Sequence, residues 1–392
     1  MIKITRPEDC CGCTACANVC GHGAITMEVD SEGFAYPRID ENLCTDCGLC
    51  DRVCPIIGRK DMDLTAKTFR KLYAGRLKDD DPALMRSASG GAFWALASEV
   101  INAGGVVFGA VYDDDMRVVH RGADTLEACK SFQGSKYSQS DISQSLRQVR
   151  DILRTGRTVL FTGVPCQIDG LKRFLIKTYD NLLTMDVVCH AVPSPRIFAD
   201  YIGLVNRRLK GKLTNLCMRD KSTRGWSHRF TYRYDLADGR SLIDQDKTVE
   251  WGRLYFSRLI DRPCCHECKY TNLNRPSDIT VADFWDDDNM RPDMRSSRGT
   301  SLVMVNTPAG EEAVNSLHDS FILSPITQQE AMQPCLRRPT SAATLRSQFW
   351  TDYQSRGFQY VYSKYFDDST YQKFKNIIKK ILNKLGIWHP KE

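Results

Sequence analysis

The sequence has no apolar run near the 18 or so residues that cross a bilayer, and its opening, Met1-Ile2-Lys3-Ile4-Thr5-Arg6-Pro7, has no apolar signal core. The expectation is a protein without a span or a leader, in a reducing cytoplasm. It also lacks a basic patch interleaved with aromatics. The net charge of +6 comes from 54 Lys and Arg against 48 Asp and Glu, with the basic residues gathered toward the C-terminus. Nucleic acid is therefore not an expected partner, and no helix pair of the DNA-binding kind is visible. Hydrophobic residues at 42% and charged residues at 26% are ordinary for a globular chain, and 392 residues suit two or three units.

Cysteine, by contrast, is abundant, with 17 in the chain. Cys10, Cys13, Cys16 and Cys20, then Cys44, Cys47, Cys50 and Cys54 followed by Pro55, write the C-x2-C-x2-C-x3-C spacing twice. That is the signature of a ferredoxin with two [4Fe-4S] clusters, in which the fourth cysteine of each run serves the other cluster. Cys10, Cys13, Cys16 and Cys54 are assigned to one cluster, and Cys44, Cys47, Cys50 and Cys20 to the second. Zinc knuckles use paired C-x2-C units, which three cysteines at successive three-residue steps do not form. Cys11 is an extra neighbour in the first run, and a register using it in place of Cys10 breaks the C-x2-C spacing.

Beyond Pro55 the sequence predicts a polar connector with a short strand at 71–75. A helix over 92–103 and a strand over 106–112 follow, then a helix over 141–154, a strand over 158–162, a helix over 167–176 and a strand over 182–188. Alternating strands and helices imply a mostly parallel sheet. From about Leu213 shorter strand-like segments appear, at 229–234, 279–283 and 301–305. The expected fold is an α+β ferredoxin-like N-terminal domain (1–60), a linker (61–83), an α/β mixed-sheet oxidoreductase core (84–345) and a basic helical tail (346–392). In that tail Phe374, Ile377, Ile378, Ile381, Leu382 and Leu385 share one helical face, ringed by lysines. This amphipathic helix is open to two readings, packing on the core or peripheral contact with an anionic membrane or a partner.

Cys166 stands at a strand-to-helix turn and Cys189 ends the next strand, both at the carboxyl edge where open α/β sheets place their sites. Cys265 and Cys268 add a C-x2-C pair, with Cys264 a substitute for Cys265. These thiols are open to three readings: a third [4Fe-4S] cluster, a zinc site, or unrelated cysteines. Ser89-Gly90-Gly91 and Gly134-Ser135-Lys136 precede helices and read either as plain turns or as phosphate cradles; neither is a GxGxxG. Clusters move single electrons while most metabolic substrates take two, so a converter such as flavin is expected.

Ser89-Gly90-Gly91, Gly134-Ser135-Lys136-Tyr137, Thr162-Gly163-Val164-Pro165-Cys166-Gln167, Cys189-His190-Ala191-Val192-Pro193-Ser194-Pro195, Cys265 with Cys268, and Ser277-Asp278-Ile279-Thr280-Val281-Ala282-Asp283-Phe284-Trp285 together resemble the family of coenzyme F420 hydrogenase/dehydrogenase beta subunits. The resemblance implies an iron-sulfur flavoprotein. FAD would lie near Ser89, Gly90, Gly91, Ser135, Lys136, Thr162 and Gly163, and a core cluster would sit on Cys166, Cys189, Cys265 and Cys268. His190 is the expected proton donor, being near neutrality in its unperturbed pKa. Electrons would pass from the ferredoxin clusters to FAD and on to a small-molecule substrate, with some relatives lying among polysaccharide-synthesis genes. The alternative is an electron-transfer subunit of a larger complex, with a ferredoxin-like protein or redox subunit as partner. Val164 stands where Thr is common, Ala191 where Gly is common, and Asp286-Asp287-Asp288 where Gly often follows the Phe-Trp pair. That acidic run argues against the polyanionic deazaflavin as substrate.

Overall fold

The computed structural model describes residues 1–58, 70–243, 251–285 and 291–366. The amphipathic helix expected over Tyr371 to Trp388 and the acidic run at 286–288 lie outside the described residues.

The N-terminal segment is built around a small antiparallel hairpin, β1 (Ile25–Val29) and β2 (Ala35–Ile39), flanked by the short helices Ala15–Val19 and Leu49–Arg52. Its interior is made of Ile2 and Ile25 together with Cys16, Cys50 and Cys54. So small an apolar core buries little surface of its own, and the cysteines form a large share of it.

The core is one mixed sheet. In chain order its strands are β3 (Lys71–Leu77), β4 (Val106–Tyr112), β5 (Val118–Ala123), β6 (Val159–Gly163) and β7 (Leu182–Val187). After a separate three-stranded sheet of β8 (Leu213–Cys217), β9 (Arg233–Leu236) and β10 (Ser241–Ile243), the main sheet continues with β11 (Ile279–Asp283), β12 (Ser301–Val305) and β13 (Phe321–Pro325). The spatial order is β13-β3-β12-β11-β7-β6-β4-β5. Strands β4, β6, β7 and β11 run parallel, while β12 is antiparallel to both β11 and β3. Because successive side chains point to opposite faces, Val107, Leu160 and Leu183 meet the helix Ala92–Asn102 on one face. On the other, Val106, Phe108, Val159 and Phe161 meet the helices Ser145–Arg154 and Pro165–Leu175. The alternation that implied a sheet covered on both faces is realised.

Several boundaries differ from those the sequence predicts. Strand β3 is an inner strand of the main sheet, paired with β12 and β13, so the core begins inside the stretch expected as linker. The helix expected from residue 141 starts at Ser145, and the strand expected at 229–234 runs over Arg233–Leu236. Helix Pro195–Leu209 has no counterpart among the predicted elements. Ser194 caps it, its Oγ accepting from Ile197 N at 3.3 Å, and Ile197, Tyr201 and Val205 are buried. The first part of the expected tail, the helix Arg346–Phe366, puts Phe349, Trp350 and Val361 into the same cluster as that helix. No described helix is long and apolar enough to cross a membrane.

Candidate iron-sulfur electron-transfer site

The first cysteine loop reverses direction through Gly12 (φ +69°) and Thr14 (φ +61°), which turns the following thiols inward. Cys10, Cys13, Cys16 and Cys54 are all buried and lie in one another's electrostatic field, Cys13 beside Cys54 and Cys16, and Cys16 beside Cys10 and Cys54. Burial pushes the Cys54 thiol up to about 11. A buried thiolate is costly unless a cation sits on it, so this grouping has the chemistry of a cluster ligand set. The other four expected ligands, Cys20, Cys44, Cys47 and Cys50, line a single cavity with Leu43 and Met1. Cys47, Leu43 and Met1 are exposed, so this second set opens at the surface while the first is enclosed. The residues of both sets fit the cubane clusters their spacing requires.

The N-terminal segment is seated on the carboxyl edge of the main sheet. Arg147 donates to Asn18 O at 2.7 Å and Cys20 O at 2.9 Å, Gln139 Nε2 to Cys11 O at 3.0 Å, and Arg6 to Glu267 at 2.8 Å. Helix Pro165–Leu175 starts with Pro165 as its first residue, which is preorganised for that position, and with Gln167 Oε1 accepting from Val164 N at 3.1 Å. Cys166 is thereby fixed in the first turn. One turn on, Gly170 abuts the first cysteine loop so closely that a Cβ there would lie 2.8 Å from Cys13 Sγ. The Cys11 sulfur is hydrogen-bonded by the thiols of both Cys13 and Cys166.

Cys166, Cys189, Cys265 and Cys268 arrive from two strand ends and one 3-10 turn (Pro263–Glu267). Cys189 has Cys265 and Cys268 as electrostatic neighbours, and Cys166 has Cys268. Burial pushes Cys166 and Cys189 well up, the Cys11 hydrogen bond acting first on Cys166, and takes Cys268 to about 11. Three more cysteines surround the group: Cys264 on the Cys11 side, bonded to Cys265, Cys335 beside Cys189, and Cys11 itself. Among the described residues no three His, Cys, Asp or Glu side chains close round one bare metal ion. Behind the group the ion pair Arg275–Asp186, 3.0 Å apart and almost wholly buried, ties the loop before β11 to the end of β7. Arg275 Nη1 also donates to Tyr270 O, at 2.5 Å.

The residues expected near FAD surround the same edge, but their polar side chains are bonded to the protein. Ser89 Oγ donates to Thr300 O at 2.7 Å, Thr162 Oγ1 to Phe108 O at 2.9 Å, and Lys136 Nζ to Ser131 O and Gln133 O at 2.7 and 2.8 Å. Burial lowers the Lys136 ammonium to about 7. Gly90 packs between Gly75 O and Ser301 N, Gly91 against Leu77, and Gly163 beside Gln167, while Ser135 is exposed. These contacts explain the glycines as packing features and supply no pyrophosphate cradle. His190 sits between Tyr255 and Phe256, with Nδ1 3.6 Å from Cys335 Sγ and 3.4 Å from Thr340 Oγ1. Burial, with Arg258 nearby, lowers its pKa, so the ring is neutral at pH 7 and has no imidazolium proton to give.

Sequence reasoning missed the aromatic group at the end of β11. Trp285 stacks on Trp226 (4.2 Å between centroids) and on His228 (3.9 Å), with the Arg219 guanidinium 5.1 Å from the Trp285 ring. Arg219 also approaches Asp283 at 3.4 Å. It equally missed Arg262 and the Arg275–Asp186 pair, whose partners are far off in sequence; the lone arginine before Pro263-Cys264 was the only local sign.

Residues 156–329 match the family described as coenzyme F420 hydrogenase/dehydrogenase, beta subunit (C terminus), and residues 9–56 match the 4Fe-4S dicluster domain. The F subunit of the F(420)H(2) dehydrogenase of Methanosarcina mazei is 22% identical over 344 residues, covering 82% of this chain and 86% of the relative. The coenzyme F420-dependent sulfite reductase of Methanocaldococcus jannaschii is 25% identical over 324 residues, covering 80% of this chain but only 47% of that protein. A solved structure of the F420-reducing [NiFe] hydrogenase complex from Methanosarcina barkeri superposes a chain at 18% identity with a TM-score of 0.44, covering 67% of this chain and 84% of that one. With that C-terminal domain behind a 4Fe-4S dicluster domain, the chain belongs to the family of coenzyme F420 hydrogenase/dehydrogenase beta subunits.

Proposed function

We propose that this chain is the iron-sulfur electron-transfer subunit of an oxidoreductase complex of the coenzyme F420 type. The carrying observation is the direct seat of the dicluster segment on the core cysteines, where Cys11 is hydrogen-bonded by both Cys13 and Cys166. Bound [4Fe-4S] clusters supply one-electron carriers, and a flavin, FAD in this reading, joins them to two-electron chemistry. The chain's own residues set the route. Cys20, Cys44, Cys47 and Cys50 hold the surface end, where Cys47 is exposed to a redox partner. Cys10, Cys13, Cys16 and Cys54 hold the enclosed middle, and Cys166, Cys189, Cys265 and Cys268 the inner end. Gly170 lets the helix of Cys166 approach the Cys13 loop, and the buried Arg275–Asp186 pair fixes the Cys189 and Cys268 segments against each other.

Two things support the coenzyme: the family match and the names of the two curated relatives. Neither relative is named for a glycan, and the bonded state of Ser89, Thr162 and Lys136 leaves FAD resting on electron counting alone. The test uses anaerobically purified protein mixed with reduced coenzyme F420, following cluster reduction by absorbance, with acid extraction of flavin in parallel. Reduction by the coenzyme in wild type, abolished in Cys166→Ser, is the expected result. Clusters that dithionite reduces but reduced coenzyme F420 does not would remove the coenzyme from the proposal, and a flavin-free extract would remove FAD.

A further inference from the structure

Arg262 is fully buried, and its guanidinium is turned toward the first cysteine loop. Nε donates to Cys10 O at 2.8 Å, Nη1 to Gln139 Oε1 at 2.9 Å, and Nη2 to Ala35 O at 2.9 Å and to Cys10 Sγ at 3.5 Å. The rings of Tyr36 and Phe34 lie 4.5 and 5.3 Å from its central carbon. Gly12, at φ +69°, is pressed on it so closely that a Cβ would stand 2.8 Å from Nη1. Carbonyls, an amide, a thiol and two rings are its partners, and no carboxylate is among its hydrogen-bond partners in the described residues. A buried guanidinium without a counter-ion is strongly unfavourable. Arg275, the comparable cation beside the core cysteines, has its counter-ion in Asp186 at 3.0 Å; Arg262 faces only the thiol set.

We propose that the missing counter-ion of Arg262 is the cluster held by Cys10, Cys13, Cys16 and Cys54, and that this arginine raises the reduction potential of that cluster above the surface-opening one. The proposal rests on the cluster reading above. Four thiolates make such a centre anionic, and one-electron reduction adds one negative charge to it. A fixed cation with an N–H directed at a ligand sulfur stabilises the reduced form, because net charge and hydrogen bonds to sulfur set cluster potentials. The electron leaves the reduced centre at Cys20, Cys44, Cys47 and Cys50, which is oxidised by one, and arrives beside Arg262; no bond or proton moves. Electrons entering at the exposed set are thus drawn inward toward the core.

The experiment is an EPR-monitored redox titration of the anaerobic full chain, after iron and sulfide assay, for wild type, Arg262→Gln, Arg262→Lys and Gln139→Glu. The Cys10-set signal is identified by its loss in Cys16→Ser, and the other N-terminal cluster serves as internal reference. Arg262→Gln removes the charge, and Gln139→Glu supplies a carboxylate that neutralises it without touching the arginine. Both should shift the reduced-to-oxidised ratio of the Cys10-set cluster at fixed potential at least tenfold toward the oxidised form, about 59 mV for one electron. Arg262→Lys, which keeps the charge, should stay within threefold of wild type. If Arg262→Gln loses iron, Gln139→Glu decides. A fully loaded Arg262→Gln or Gln139→Glu protein with an unmoved potential, or a lysine variant that falls as far as the glutamine variant, would overturn the proposal. A wild-type protein without the two-cluster spectrum would instead sink the cluster reading itself.

Discussion

Asp261 stands next to Arg262 and is fully buried, and neither carboxylate oxygen has a hydrogen-bond partner among the described residues. Burial pushes its pKa up to about 7, against the pull of Arg346 and Arg258. An exposed aspartate titrates near 4. From about pH 4 to about pH 7 the folded chain therefore keeps a proton that the unfolded chain has lost, and stability falls as pH rises through that window, then levels off. Each pH unit inside it is worth about 1.36 kcal/mol, or roughly 4 kcal/mol over the whole span. Asp261→Asn has nothing to titrate, so its stability relative to wild type should improve by about 2.7 kcal/mol between pH 5 and pH 7 and stay constant above. The removal of a buried polar acid would thus stabilise the protein at neutral pH. Anaerobic thermal unfolding of both proteins at pH 5, 6, 7 and 8, at one scan rate, reads the effect as a Tm difference that widens by about 3–5 °C. A Tm difference that does not change with pH, or that shrinks toward neutrality, would refute the reasoning.

Three further outcomes are expected. Cys166→Ser should lower iron from roughly twelve to roughly eight per chain, as loss of one of three cubanes requires; an unchanged iron count would remove Cys166 from the ligand set. Gly170→Ala puts a methyl where Cys13 Sγ stands 2.8 Å away, and should bleach the enclosed N-terminal cluster while sparing the exposed one, measured by EPR signal per chain; equal loss of both would mean general misfolding. Asp186→Ala strands a buried guanidinium and should destabilise the fold by about 3–5 kcal/mol, read in denaturant titrations; a shift below about 1 kcal/mol would show that Arg275 finds its balance elsewhere.

The cysteine spacing carried most of the site, because a cluster motif is local: thiols three residues apart converge whatever surrounds them. The parallel strands β4, β6 and β7 were legible for a related reason, each being a short apolar run bounded by helices of its own period. Strand β3 was recognisable as a strand, but its place inside the sheet depends on pairing with β12, more than 220 positions later in the chain, and no local pattern encodes that. Helix Pro195–Leu209 does carry its signal, a Ser-Pro start with apolar residues at helical spacing, but that start coincides with the end of the cysteine motif before it and reads as part of it. Arg262 was not legible at all. Its bond to Cys10 O spans 252 positions, and an arginine in a turn usually means a solvated side chain. The glycine turns misled in the opposite direction: Gly90 and Gly91 are required by packing against Gly75, Ser301 and Leu77, a constraint that in sequence looks the same as a phosphate cradle.

The central claim is that two ferredoxin-type clusters feed a third on the core cysteines. Iron and acid-labile sulfide per chain in the anaerobically isolated protein, measured together with the EPR spectrum of the reduced form, test it most directly. The account predicts about twelve of each, three cubanes of four, with signals broadened by mutual interaction of the clusters. Iron and sulfide near eight, unchanged on replacing Cys166 or Cys189, would contradict it.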